Sequence, residues 1–126
     1  MTTQRLSAGW VPSVLRMLDH QYDRFGDPTN AESHFGGQLI KEVPEPPSYY
    51  WKTNCYAGAS FFRPSEVPLR YEIGLDKIMW STDYPHTNSN WPSSQRIAAY
   101  EFREVPDDER RMIVRDNAAS LYRLAA

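Results

Sequence analysis

The clearest periodic signal lies near the start of the chain, where Val11, Leu15, Leu18, Tyr22 and Phe25 recur at alternating spacings of four and three residues. Such a stripe occupies one face of an α-helix and predicts a helix over 12–25. Pro12 suits the first turn, where its missing N–H would have had no partner. Gly26, followed by Asp27-Pro28, ends the element. From Thr29 to Pro47 no apolar period is sustained, and Ser48 to Thr53 reads as a short helical turn.

Beyond that point the pattern shifts toward strands. Cys55 to Phe62 reads as a short buried strand of small and aromatic residues, closed by Pro64. Val67 to Ile73 predicts a helical turn or two ended by Gly74. Lys77-Ile78-Met79-Trp80-Ser81 predicts a second strand, followed by a polar, turn-rich loop from Asp83 to Asn90. A helix is expected from Pro92 to Glu104, with Ile97, Ala98 and Phe102 on its core face. Another begins near Pro106, its first-turn Asp107, Asp108 and Glu109 opposing the positive end of the helix dipole. Asn117 is expected to interrupt that helix and cap a final one through Leu121 and Leu124. Strands alternating with helices imply an α/β fold with a parallel sheet. About two strands cannot complete a parallel sheet covered on both faces, so the pattern reads as part of a fold.

Composition narrows the function classes. A length of 126 residues fits one small domain, and 40% hydrophobic with 24% charged residues marks a globular chain. Ten prolines against six glycines predict a middle broken into short pieces. The net charge of −2, with both signs interspersed, supplies no footprint for nucleic acid. No apolar run approaches the roughly 18 residues of a membrane span. Met1 to Gly9 has no apolar core of a leader, and Cys55 is the single cysteine, so a reduced, cytoplasmic location is the default.

The stretch Ile78-Met79-Trp80-Ser81-Thr82-Asp83-Tyr84-Pro85-His86 carries the most chemistry. An apolar strand delivers the Asp83 carboxylate at its C-terminal end, and His86 follows three residues later. In parallel α/β folds, ligands and catalytic groups gather at these strand ends. A carboxylate there binds a cation or acts as a general base, or else it forms a turn by accepting backbone hydrogen bonds. Asp19, His20 and Asp23 lie within two helical turns, as a metal-holding trio or as a solvated face. Cys55 reads as a small buried hydrophobe rather than a nucleophile. Trp10, Trp51, Trp80 and Trp91, with eight tyrosines, line a pocket for an aromatic acid or pack between elements.

The strand followed by Ser81-Thr82-Asp83-Tyr84-Pro85-His86 resembles the end of the amidohydrolase-related family that includes aminocarboxymuconate-semialdehyde decarboxylase. Gly9-Trp10-Val11-Pro12, Pro47-Ser48-Tyr49-Tyr50, Tyr71 to Trp80, Trp91 to Ser94, and Ile113 to Leu121 resemble further family segments in the same order. The resemblance implies the C-terminal portion of a (β/α)8 TIM barrel, with residues 1–126 covering the segment after strand six through the end. It implies a metal-dependent hydrolase or decarboxylase, a lyase in the second case, acting on a small carboxylic or aromatic substrate. Asp83 would then ligate a catalytic zinc or manganese ion, and His86, Trp80 and Trp91 would contact substrate. The family's remaining ligands are histidines of earlier strands, which His20, His34 and His86 do not match. Two expectations from different classes follow. One is an enzyme whose missing strands come from a complementing chain or a homo-oligomer. The other is a catalytically inactive, truncated relative acting as a structural or protein-interaction module.

Overall fold

The computed structural model describes residues 7–124; residues 1–6, part of the stretch read as lacking a leader, lie outside the described residues. The chain divides into two compact units, Val11–Cys55 and the residues on either side of it.

The Val11–Cys55 unit is three helices: α1 Val11–Gly26, α2 Ser33–Glu42 and α3 Pro47–Asn54. α1 runs one residue beyond the predicted 12–25 at each end. α2 lies where no apolar period was expected: its large apolar residues Phe35 and Leu39 are exposed, and Gly36 is its one buried position. Asp27 Oδ1 accepts the Thr29 N–H at 2.8 Å and Asn30 Oδ1 accepts the Glu32 N–H at 3.0 Å, two local turns that lead the chain into the helix. Its contact with α1 is made at Gly36, where a Cβ would stand 2.1 Å from the Phe25 ring. The ring therefore lies on bare helix backbone. Tyr22 of α1 donates its hydroxyl to Val43 O at 3.1 Å, and Gln21 and Arg24 both reach Glu32. Asp19 accepts the Ser48 N–H at 2.9 Å, so α1 supplies the cap that the first turn of α3 lacks.

In the other unit, β1 Ala57–Ala59 and β2 Ile78–Trp80 pair in parallel, with Ala57 opposite Ile78, Gly58 opposite Met79 and Ala59 opposite Trp80. Each strand is three residues, shorter than predicted. Pairing gives way where the hydroxyls of Ser60 and Ser81 hydrogen-bond to each other at 2.8 Å. Between the strands a 3-10 turn, Val67–Leu69, leads into α4 Arg70–Ile73. Gly74 ends α4 at φ 102°, a conformation open to glycine, and a second 3-10 turn delivers the chain to β2.

After β2 come α5 Ser94–Glu101, α6 Asp107–Arg111, a π-helical stretch Met112–Asp116 and α7 Asn117–Tyr122. Here the structure differs from expectation: Asn117 has helical dihedrals (φ −62°, ψ −46°) and interrupts nothing. Its side chain instead donates to Leu75 O and Ile78 O, both at 2.8 Å, binding the helix to the entry of β2. Ile113, four residues earlier, is fully buried. The core gathers Phe62, Phe102, Ile73, Ile78 and Ile113, with the two phenylalanine rings 5.9 Å apart. Each such side chain stabilises the unit by roughly 1.5–3 kcal/mol on burial.

Of the expected C-terminal portion of a TIM barrel with about two short parallel strands, the described residues show the strands and not the barrel topology. A barrel of that type closes about eight parallel strands. The described residues form one two-stranded sheet of order β1-β2, which does not close. The fold is α/β, with two short parallel strands and several helices.

Candidate functional site

β2 ends in a loop whose two ends are tied together. Asn90 donates its backbone N–H to Thr82 O at 3.1 Å, and its Nδ2 to Ser60 O and Ser81 O at 3.1 and 3.2 Å. Buried to 4% exposure, it clamps the C-terminal ends of both strands at once. Ser89 adds a hydroxyl bond to Thr82 O at 2.9 Å. The 82–90 loop is thus a closed excursion on a fixed base.

Asp83 opens that excursion at φ 57°, in the left-handed region. Its carbonyl accepts the His86 N–H at 2.9 Å, closing a turn through the cis Tyr84-Pro85 bond. Its Oδ1 lies 2.9 Å from His86 Nδ1. The Asp83 side chain is 18% exposed while that of His86 is 77% exposed, so the carboxylate sits inward and the imidazole reaches solvent. Sequence reasoning placed these two residues in one loop, and the structure brings them into contact. The pair can hold an imidazole in one orientation.

Trp80 and Trp91 turn their rings to other partners. The Trp80 indole donates Nε1–H to Glu101 Oε2 at 2.9 Å, committing its polar edge to α5. Trp91 is exposed and packs edge-on against Tyr84, with ring centroids 5.9 Å apart. Asp19 caps α3 as described, and Cys55 is half-buried.

Two groups escaped the sequence reading. Glu101 is a buried carboxylate, and burial pushes its pKa above the usual glutamate range, against the pull of its Trp80 and Phe62 donors. The usable signal was the Ser94, Ala98, Glu101 spacing of four and three, all three residues being buried. The second group links Arg70, Tyr71 and Glu109. Arg70 donates Nε–H to Glu109 Oε2 at 2.7 Å and Nη2–H to the Tyr71 hydroxyl at 2.6 Å, while that hydroxyl donates to Glu109 Oε1 at 2.8 Å. The Arg70 and Tyr71 donors hold the Glu109 pKa below its ordinary value, and the Glu109 acceptor raises that of Tyr71. This closed triad fastens α6 to α4.

The amidohydrolase family model matches residues 14–124. The chain belongs to the amidohydrolase family. No curated protein matches it.

Membership in this family sharpens one correction. The expectation of a catalytic zinc or manganese ion on Asp83, and with it the metal-dependent hydrolase or decarboxylase reading, fails on the donor set. Among the described residues, no three His, Cys, Asp or Glu side chains come together to hold a metal ion. Catalytic zinc takes about three protein ligands and an open position. Asp83 and His86 supply two groups, and Asp83 Oδ1 already partners the imidazole. The chain is an amidohydrolase relative in which, among the described residues, the metal ligands that the resemblance implies for catalysis are absent. Among the described residues, no helix is long and apolar enough to cross a membrane.

Proposed function

We propose that this chain acts as a structural or protein-interaction module derived from an amidohydrolase, without metal-dependent turnover of its own. The observation that carries this reading is the donor arrangement at the strand ends, where Asp83 and His86 have no third His, Cys, Asp or Glu beside them among the described residues. In this reading the 82–90 loop serves architecture. Asn90 clamps the strands, Asp83 shapes the turn, Trp80 anchors β2 to α5, and Trp91 and His86 form part of an exposed surface. The order of the segments resembling the decarboxylase-like branch supports a finer placement: the chain corresponds to the portion after strand six of such a barrel. The single Cys55 fits a reduced, cytoplasmic setting.

Elemental analysis of purified protein, dialysed without chelator, tests this reading. Zinc and manganese are expected far below one per chain, and Asp83→Ala is expected to leave that content unchanged. About one ion per chain, lost in Asp83→Ala, would overturn the proposal.

A further inference from the structure

An open groove of about 810 Å³ runs between α5 and the helix that begins at α6. Its lining includes Ala98, Ala99 and Val114, flanked by Asp108, Arg111 and Arg115. Val114 is 36% exposed, a β-branched apolar residue facing solvent in the middle of a charged helix. We propose that this groove is a self-association surface, occupied by the same helix of a second copy running antiparallel. The proposal rests on the module reading and names its partner.

The charge order along the helix selects the occupant. Acids open the helix at Asp107 and Asp108, Glu109 being held by Arg70 and Tyr71, and arginines follow at Arg110, Arg111 and Arg115, ahead of the single Asp116. An antiparallel copy sets the acidic start of each helix beside the arginines of the other. A two-fold contact makes that match twice. From Asp107 to Arg115 the helix rises about 12 Å, so both charged ends and the apolar middle fit within one helix crossing. A parallel copy would set like charges side by side, and a partner of one sign would meet repulsion at one end. Ala98 and Ala99 have short side chains, so a partner helix can approach to the usual 8–10 Å.

Internal pairing leaves the necessary groups available. Asp107 meets Arg110 at 2.7 Å through Oδ1 alone and is 89% exposed. Arg111 and Arg115 share Asp116, at 2.9 and 3.4 Å, and both remain largely exposed. Among the described residues, no ion pair engages Asp108.

Sedimentation velocity across a wide concentration range decides the matter, using the whole chain and two charge-reversed variants. One carries Asp107→Arg with Asp108→Arg, the other Arg111→Asp with Arg115→Asp. The native chain is expected to dimerise. Each variant alone should associate at least about tenfold more weakly, and an equimolar mixture of the two should recover the dimer. A native chain that stays monomeric throughout overturns the proposal. So does a mixture no better than its components. A dimer unchanged in both variants also overturns it, while leaving the module reading intact, since the contact would then lie elsewhere. Circular dichroism checks that the variants fold. If a reversal unfolds the helix, Val114→Lys takes its place, with the same loss expected and an unchanged dimer again overturning the surface.

Discussion

Asp83 occupies a backbone conformation that most side chains avoid. At φ 57° its Cβ crowds the following carbonyl, and aspartate is tolerated there because a short polar side chain bonds locally. Here that local partner is His86. Asp83→Asn is therefore expected to keep both the turn and the contact, with a urea midpoint close to native. Asp83→Val is expected to lose about 1–2 kcal/mol through the strained dihedral alone. Equal midpoints for the two variants would show that the turn is held by the Asn90 clamp and not by residue 83. This part of the site was legible in sequence, because a strand end followed by a turn-forming Asp and a His constrains all of its members locally. The partners of Asn90 and Glu101 were not legible, though spacing could have marked Glu101 as buried. Each takes its role from groups 20 to 30 positions away, Ser60 for Asn90 and Trp80 for Glu101, and no local pattern announces such a partner.

Among the elements, legibility followed the size of the side chains in contact. α1 shows its stripe as large apolar residues at helical spacing and could be read directly, although only Val11 of that stripe is fully buried and Leu18 stays exposed. α2 hides its contact because Gly36 makes it, and a glycine carries no hydrophobic signal. That same contact is testable. A methyl group at Gly36 would stand 2.1 Å from Phe25 Cγ, so Gly36→Ala forces either the ring or the helix to move. The cost of overpacking, about 1–3 kcal/mol, should exceed alanine's helix-propensity gain of roughly 1 kcal/mol. The expected result is a lower midpoint in chemical denaturation, with Gly37→Ala as the control. A Cβ at Gly37 meets nothing within 4 Å, so alanine there should stabilise. If both variants gain stability, the Phe25–Gly36 contact is looser than the structure has it. Asn117 shows the opposite kind of misreading. As a weak helix former it was expected to break the helix, yet its amide spans two strand-entry carbonyls, and tertiary contact overrides propensity.

At the scale of the molecule, the two perturbed glutamates set opposing slopes on stability against pH. Glu101 has a raised folded-state pKa, so its contribution is fully present below the unfolded value near 4.5 and is lost as pH rises through the folded value. Glu109 is shifted the other way. Its contribution is present above the unfolded value and is lost as pH falls through the lowered folded value. The fold is therefore squeezed from both sides, and each side can be removed alone. Glu101→Gln keeps an acceptor for the Trp80 indole while discarding the buried charge. Its melting temperature should fall less than native as pH rises from about 4.5 toward neutrality. Glu109→Gln takes the charged partner from Arg70, which is only 9% exposed, so it should lower stability at neutral pH and flatten the acid limb. A residual acid slope is expected to survive in that variant. Asp27, its pKa lowered by the Thr29 hydroxyl and N–H, loses the same kind of contribution on acidification. Melting curves of both variants across pH would separate these effects. Parallel native and Glu101→Gln profiles would mean that burial does not raise the Glu101 pKa beyond what its Trp80 and Phe62 donors offset.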